Sequence, residues 1–309
     1  MIRKYFQTFL IVFISIIWKI QSQEIQIFTV EDFDLTGNVK KCLVSTDYGK
    51  EEYDFNKNGL LTKSVTRYND QDYDVVYYKY GKGELLEKRS ESYRNNTFDA
   101  STSIAHFYEI DSTDNLKIQE RIFSYDKQFL DEYIYYYDEF GDLISIKRTN
   151  NDGTDITQIE HKKFKGENTV TYLLNEVPLK SIRTSTLKPK NKPVQKVVLT
   201  KEYLNGEENF AFEEVYSLGD KLMAEQEFEY DGVAEKFVPT TRTTYEYDEK
   251  GMLVTETAKR GAGIIKKEYI YQYDNSEFGN WVKQIVTPDN TYTTRKITYY
   301  PQVSKTVEE

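Results

Sequence analysis

The sequence predicts an all-β protein: a long antiparallel meander of β-hairpins that forms a curved open sheet, a half-barrel or a spiral. Three observations support this fold class. One hairpin-like unit recurs along the chain. Most units are too short to hold a helix between parallel strands. The composition is rich in aromatic residues that favour strands, with 27 Tyr and 17 Phe among 309 residues.

The clearest copy of the recurring unit spans residues 245–255 and has the pattern of a strand, a turn and a second strand. Tyr245 and Tyr247 alternate with polar residues, so both rings fall on one face of an extended chain. Asp248 can accept a hydrogen bond from a backbone N–H two residues on, and Gly251 can take the positive φ of a bulged hairpin loop. Further copies lie at residues 135–144, 53–62 and 271–282, and weaker ones at 78–85, 107–116 and 215–222.

The remaining segments are predicted as strands as well. Residues 24–30 form the expected first strand, and a turn at Gly37 leads into the next, through Val44. Residues 150–240 are less regular than the rest. Within them, residues 210–230 contain glutamates that also suit a helix, but Gly219-Asp220 splits the stretch into short pieces, which favours strands.

The domain organisation is predicted as one hairpin-repeat domain, residues 23–300, followed by a polar tail, residues 301–309. A Pro- and Lys-rich connection near residues 186–194 is the candidate boundary between two lobes.

The N-terminus has the layout of a secretory signal peptide, residues 1–22. Arg3 and Lys4 give a positive start, an apolar run follows, and the chain then turns polar, with cleavage predicted after Ser22. The apolar run is shorter than the ~20 residues that a spanning helix needs, and an uncleaved anchor is the alternative. The mature protein is therefore expected to be secreted or periplasmic, or on the outer surface, with no membrane span.

The unit resembles the YD repeat of the RHS/YD-repeat family, whose core reads roughly Tyr-x-Tyr-Asp-x-x-Gly-x-Leu. The match is strong at residues 245–253 and 135–143, and it touches most of the chain from about Gly37 to Tyr300. The chain also resembles short secreted YD-type meander proteins of Bacteroidetes. The resemblance implies an array of hairpins and no particular activity. Large RHS proteins build a shell around a toxin, so one functional alternative is an accessory piece of an RHS-type toxin-delivery system.

The Asp and Gly residues of the unit are assigned to the fold. A catalytic residue is needed once per site, whereas a turn-forming residue is needed in every hairpin, so recurrence favours a structural role. The predicted turn residues are Asp54, Gly59, Asp138, Gly141, Asp248, Gly251, Asp274 and Gly279.

Local patterns of catalytic or metal-binding residues are missing from the sequence. His106 and His161 have no second His or Cys at zinc spacing. Cys42 has no activating neighbours and is expected to be buried. Nucleophile-elbow, phosphate-loop and metalloprotease motifs are lacking. We therefore predict no catalytic residue, metal or cofactor, and the net charge of −10 argues against nucleic-acid binding.

The alternating tyrosines are the feature that points most directly to a function. If exposed, such rings stack on sugars or dock a partner protein. The alternative, favoured in repeat arrays, is that they stack on one another across strands, at roughly 0.2–1 kcal/mol per pair. The candidate ligand-binding ladder consists of Tyr135, Tyr137, Tyr245, Tyr247, Tyr271 and Tyr273.

The sequence thus favours a non-enzymatic binding or scaffold module whose partner is a polysaccharide or a cell-surface protein. The alternative from another class is a small glycan-active hydrolase that uses two carboxylates held at a fixed separation. With 51 Asp and Glu residues in the chain, sequence alone does not single out such a pair.

Overall fold

The computed structural model describes residues 25–190 and 193–301. The predicted signal peptide and most of the predicted tail lie outside these described residues. Within them, the chain forms twenty β-strands and one short 3₁₀ helix, Val30–Phe33. The strands are β1 (Val39–Thr46), β2 (Gly49–Phe55), β3 (Leu61–Arg67), β4 (Tyr73–Gly81), β5 (Glu84–Arg94), β6 (Thr97–Asp111), β7 (Lys117–Ser124), β8 (Phe129–Tyr137), β9 (Leu143–Asn150), β10 (Gly153–Phe164), β11 (Glu167–Leu174), β12 (Val177–Leu187), β13 (Gln195–Leu204), β14 (Glu207–Tyr216), β15 (Leu222–Asp231), β16 (Lys236–Tyr247), β17 (Leu253–Arg260), β18 (Gly263–Tyr273), β19 (Trp281–Thr287) and β20 (Thr291–Tyr299).

The strands form one antiparallel meander, so the predicted fold class is confirmed. Each strand pairs with the next, and β20 also pairs with β1, with Cys42 opposite Ile297 and Val44 opposite Arg295. The sheet therefore closes into a barrel, and the expectation of an open sheet, half-barrel or spiral was wrong. Closure is favourable because it pairs the backbone N–H and C=O groups of β1 and β20 that an open sheet leaves at its edges.

The two ends of the barrel are defined by the direction of the strands. Because successive strands run in opposite directions, every turn that follows an even-numbered strand lies at the same end. We call this the motif end, and it is defined by the turns at residues 56–60, 138–142, 217–221 and 248–252. The chain enters β1 and leaves β20 at this end. The opposite end is called the far end.

The two faces of the sheet follow from its register. Residues directly opposite each other on antiparallel strands point to the same side. Cys42 and Tyr53 pair with each other and belong to a cluster of side chains around the segment that precedes β1. Following the register around the barrel from this pair defines the inner face; the other side is the outer face.

The segment of residues 25–36 lies against the inner face at the motif end. Thr29 forms an isolated bridge with Leu60, and the backbone N–H of Val30 donates to the carbonyl of Gly59 at 3.0 Å. The Phe33 ring packs against Tyr53, with 4.3 Å between ring centroids. We call residues 25–36 the inner segment.

The first strand predicted for residues 24–30 is not formed in the described part of the chain: residues 25–29 make only the isolated bridge at Thr29, and the 3₁₀ helix begins at Val30. Asp32 explains the difference, because its carboxylate accepts bonds from the backbone N–H of Thr29 at 2.7 Å and from the Thr29 hydroxyl at 3.0 Å. Such local side-chain bonds compete with a strand ladder. The C-terminal end of the inner segment is fixed by Asn280, whose side chain forms hydrogen bonds with both the N–H and the C=O of Thr36.

Buried apolar side chains form two clusters. One surrounds the inner segment and includes Leu35, Phe55 and Leu61, each at most 2% exposed. The other extends over β7 to β12 and includes Tyr135, Tyr137 and Leu143. Both clusters contain residues that flank the motif-end turns.

The irregular central region is part of the same sheet. Strands β12 and β13 pair along their length, from Lys180 opposite Glu202 to Leu187 opposite Gln195. The candidate lobe boundary near 186–194 is thus the connection between two paired strands, with residues 191–192 outside the description. Residues 210–230 lie in β14, β15 and the turn between them, so the prediction of strands for this stretch is confirmed.

Candidate functional site

The turn chemistry of the recurring unit is visible at Asp138 and Gly141. The Asp138 carboxylate accepts the backbone N–H groups of Phe140 and Asp142, each at 2.9 Å. Gly141, at φ +82°, donates its N–H to the carbonyl of Asp138 at 3.1 Å. Asp248 accepts from Met252 at 2.8 Å in the same way. The loop is a turn closed by a residue in the left-handed conformation, which glycine adopts without strain.

The motif-end turn at residues 56–60 uses different residues for the same geometry. Asn56 accepts the N–H groups of Asn58 and Leu60, and Gly59 donates back to its carbonyl. Asp54 is not in this turn: it lies in β2, with its carboxylate 3.8 Å from Lys41 Nζ, so Asn56 takes the turn position that the sequence analysis gave to Asp54.

The longer loop after β18 also uses its predicted residues. Asp274 accepts bonds from the N–H and hydroxyl of Ser276, and Gly279 at φ +62° donates to the Ser276 carbonyl. The loop thereby holds Asn280 in place below the inner segment.

In several units an aromatic residue before the motif-end turn pairs with a leucine after it. Tyr137 lies opposite Leu143 and Tyr247 opposite Leu253, both on the inner face. Neighbouring units are also joined: the Tyr247 hydroxyl donates to the carbonyl of Leu222 at 2.7 Å. The aromatic–leucine pairs are Phe55 with Leu61, Tyr80 with Leu85, Tyr137 with Leu143, Tyr216 with Leu222 and Tyr247 with Leu253.

All six residues of the candidate ladder point to the inner face. Tyr135 and Tyr137 are buried, at 4% and 2% exposed. The others, Tyr245, Tyr247, Tyr271 and Tyr273, are half-buried. The structure therefore places these rings inside the barrel, and several of their hydroxyls bond to neighbouring side chains.

The Glu120 carboxylate shows how the inner tyrosines are held. It accepts hydrogen bonds from the hydroxyls of Tyr108 at 3.0 Å and Tyr135 at 2.9 Å, and His106 Nδ1 lies 2.7 Å away. Burial acts to raise the pKa of Glu120, but the bonds from His106 and the two tyrosines outweigh it and hold the pKa below its usual range. Three partners on one ionised carboxylate form a satisfied structural network.

Glu214 and Glu225 form a second group of carboxylates on the inner face. Here the pKa of Glu214 is raised, whereas that of Glu120 is lowered. Glu214 and Glu225 lie directly opposite each other on β14 and β15. Glu214 accepts the Tyr216 hydroxyl at 2.8 Å, and Glu225 accepts that of Tyr245 at 2.6 Å. Burial, together with the charge of Glu225, raises the pKa of Glu214. Glycoside hydrolysis uses two carboxyl groups held near each other, and Glu214 and Glu225 are such neighbours.

The outer face carries a groove where the register of β5 and β6 breaks. Ser90 lies opposite Ile104, but Ser92 lies opposite Asp99, so β6 contributes extra residues at this point. Such bulges bend a strand and often lie beside binding sites. The groove encloses about 420 Å³ between β5, β6 and β7, within the size range of small-molecule sites.

The groove has aromatic walls and charged groups among its lining residues. Phe107 and Tyr125 are 38% and 53% exposed, and Phe123 stands edge-on to Phe107 at 5.9 Å. Tyr125 is supported from behind by Phe98 at 4.4 Å. The charged lining residues are Glu87, Arg89 and Lys127.

Sequence reasoning missed this groove because its residues come from outside the strong copies of the unit. Phe107 stands at the start of a weak copy, and Phe123 and Tyr125 flank Ser124, where no Gly marks the turn. Ser124 nevertheless makes the same turn as Asp138, since its hydroxyl accepts the N–H of Gln128. The extra residues of β6 have no signature in the sequence pattern.

The two histidines and the cysteine are structural. His161 Nε2 lies 2.8 Å from the carbonyl of Leu143, and Cys42 is buried at 1% exposed. In the described part of the chain, no three His, Cys, Asp or Glu side chains are grouped so as to hold a metal ion. Among the same residues, no helix has the length and apolar character needed to cross a bilayer.

Comparison with known proteins adds no relative: no protein-family model matches the sequence, and no curated protein matches it.

Proposed function

We propose that the protein is a non-enzymatic binding module that holds a glycan in the outer groove between β5, β6 and β7. The observation that carries the proposal is the combination of exposed Phe107 and Tyr125 rings with charged side chains in one open groove. Apolar walls with a few convergent polar groups are typical of ligand sites.

The chemistry of the groove matches that of a sugar ring. A pyranose has a face of C–H groups, which packs on an aromatic ring, and a rim of hydroxyls, which need donors and acceptors. Phe107 and Tyr125 supply the aromatic surface. Arg89 and Lys127 supply donors, and Glu87 supplies an acceptor.

The inner tyrosines have a supporting role in this proposal. Tyr135, Tyr245 and Tyr247 have hydroxyls bonded to Glu120, Glu225 and the Leu222 carbonyl. The Tyr135 bond joins β8 to β7, which is one strand of the groove, and the other two bonds join β16 to β15. The binding site proposed here therefore replaces the ladder.

Secretion and membership of the YD-repeat family belong to the same proposal. The signal-type N-terminus supports export to the periplasm or the outer surface, where polysaccharides are found. The shared turn geometry of Asp138 and Asp248 supports a YD-type repeat. Export is tested by detecting the chain outside the cytoplasm with its N-terminus at Gln23.

The binding proposal is tested by calorimetric titration of the protein with a panel of soluble polysaccharides. We expect saturable binding of one glycan class that falls at least about tenfold in Tyr125→Ala and Phe107→Ala, since each removes a stacking ring. Tyr292→Ala is the matched control, because Tyr292 is also about half exposed but lies on β20, away from the groove.

Two results would contradict the glycan proposal. One is the absence of saturable binding across the panel, which would leave a protein partner as the occupant. The other is binding that Tyr125→Ala and Phe107→Ala leave as strong as in the unaltered chain.

A second candidate function, a glycan-active hydrolase, is favoured by the Glu214–Glu225 pair. In this case Glu214, whose pKa is raised by burial, acts as the general acid, and Glu225 is the second carboxylate. Release of reducing ends from a polysaccharide, lost in Glu214→Gln and in Glu225→Gln, would establish it. Activity that persists in both variants would exclude this pair as the catalytic carboxylates.

A further inference from the structure

Arg295 is a buried cation without a counter-ion in contact. It lies on the inner face of β20 and is 8% exposed. Of the ion pairs among the described residues, none includes Arg295. Its Nη1 makes one long hydrogen bond, 3.4 Å, to the backbone carbonyl of Asp34, and its Nε has no partner.

Such an arrangement is unfavourable for the protein alone. A guanidinium has five N–H donors and keeps its charge at all ordinary pH values. Removing a charge from water is unfavourable unless an opposite charge and hydrogen bonds compensate for the lost hydration. Asp34 offers its carbonyl; its carboxylate makes no ion pair with Arg295, although the two charges are near enough for Arg295 to act to lower the pKa of Asp34.

Trp281 adds a second donor beside Arg295. The guanidinium carbon lies 3.4 Å from the centre of the indole ring, so the two side chains are stacked. Trp281 is 6% exposed, and its Nε1–H also has no hydrogen-bond partner. Two unsatisfied donors from neighbouring side chains are uncommon in a folded protein.

Tyr271 supplies a third donor at the same place. Its ring stands edge-on to Trp281 at 5.9 Å. Its hydroxyl accepts a bond from Gln284 Nε2 at 3.0 Å, and no hydrogen bond among the described residues uses its own proton. Burial raises the pKa of Tyr271 to about 12, so the hydroxyl stays protonated.

We infer that Arg295, Trp281 and Tyr271 form a binding site for a small oxyanion, a carboxylate or a phosphate, inside the barrel. Such a group would bring a negative charge into contact with Arg295 and would offer hydrogen-bond acceptors to all three side chains. The site is separate from the outer groove and does not depend on the function proposed for it.

The chain provides its own reporter for this site. It has two tryptophans, Trp18 in the predicted signal peptide and Trp281. In the full chain with Trp18→Phe, tryptophan fluorescence therefore comes from Trp281 alone. The experiment titrates this protein in Tris chloride with sodium phosphate or with sodium citrate, and compares sodium chloride at the same ionic strength.

We expect a saturable fluorescence change with phosphate or with citrate and none with chloride; the salt that acts identifies the oxyanion class. Arg295→Lys should weaken binding at least about tenfold, because lysine keeps the charge but not the planar fork. Tyr271→Phe keeps the ring and should weaken binding several-fold.

The inference is overturned if neither oxyanion gives a saturable change, or if chloride acts equally. It is also overturned if Arg295→Lys and Tyr271→Phe both bind as the unaltered chain does. Circular dichroism shows which variants fold. If Arg295→Lys does not, Tyr271→Phe decides, since it leaves the packing of Trp281 intact.

Discussion

Asp138 shows what the most regular residue of the unit does. Its carboxylate satisfies two backbone N–H groups of a tight turn, and each such bond contributes about 0.5–1.5 kcal/mol to stability. Asn56 does the same with an amide oxygen, so the turn requires an acceptor and no charge. This explains why the same geometry occurs where the Tyr-Asp pair of the motif is absent.

Asp138→Ala should therefore lower the free energy of unfolding by about 1–3 kcal/mol, because two N–H groups lose their acceptor. Asp138→Asn should retain most of the stability, since Asn56 already makes this turn. Urea denaturation measures both. Equal losses in the two variants would show that the charge, and not the acceptor geometry, matters.

Glycines at positive φ differ in what surrounds them. Gly141, at φ +82°, has open space where a Cβ would stand, whereas a Cβ on Gly37, at φ +84°, would overlap the Phe278 ring. Gly141→Ala should cost about 1–2 kcal/mol of backbone strain. Gly37→Ala should cost clearly more, because Phe278 must also move. Thermal unfolding of the two variants checks this order, and an equal cost would contradict the packing of Phe278.

Glu214 and Glu120 predict opposite effects of pH on stability. The pKa of Glu214 is raised in the fold, so its contribution is lost as pH rises from its ordinary pKa through the raised value. The pKa of Glu120 is lowered, so its contribution is present above its ordinary pKa and lost as pH falls through the lowered value.

Glu214→Gln should therefore raise the melting temperature at pH 7, and the gain should shrink toward pH 4. Glu120→Gln should lower the melting temperature at pH 7, because it replaces the ionised group that His106, Tyr108 and Tyr135 contact. Melting curves of both variants at the two pH values test the pair. A loss of stability at pH 7 in Glu214→Gln would refute the assignment.

At the scale of elements, the sequence predicted the hairpins well because each is specified locally. The strand, turn and strand of residues 245–255 need only alternation, an acceptor at Asp248 and a glycine at 251, and all lie within a few residues. The split of residues 210–230 by Gly219-Asp220 was predicted for the same reason.

Elements that depend on distant contacts were predicted less well. Residues 24–30 were expected to form a strand, yet Asp32 closes a short helix next to them, and Asn280, some 244 positions away, fixes Thr36. The outer groove depends on extra residues in β6 that no turn signal marks. The Arg295 site depends on β18, β19 and β20 meeting inside the barrel, which local sequence does not reveal.

The inner segment links the first residues of the described chain to the last strands of the barrel. Asn280 bonds both backbone groups of Thr36, and Asn38 bonds the Tyr300 carbonyl. These contacts stabilise the junction of β1 and β20, because they hold the start of one strand beside the end of the other. The inner segment thus belongs to the closure of the sheet as much as to its core.

For the whole molecule, closure between β1 and β20 is the property that the local pattern did not predict. A meander of this pattern forms an open or a closed sheet with the same hairpins. Closure depends on strand number, tilt and stagger together, and these are properties of the complete sheet.

Removal of β20 tests closure directly. A chain that ends at Asp289 should aggregate, because β1 and β19 become unpaired edges. A chain that ends at Pro301 retains every described strand and should stay in solution as the full chain does. Light scattering compares the two, and a monomeric, well-folded product from the shorter chain would show that the pairing of β1 with β20 is dispensable.

The position of the turns has a consequence for how barrels of this type can change in size. Each unit contributes two strands. If one unit is gained or lost, the last strand therefore still ends at the motif end, where the first strand begins. The circumference can therefore grow or shrink in steps of one hairpin, while the first and last strands still meet side by side. A related chain with about one unit fewer or more, and so with roughly eighteen or twenty-two strands, would also close by pairing its first strand with its last.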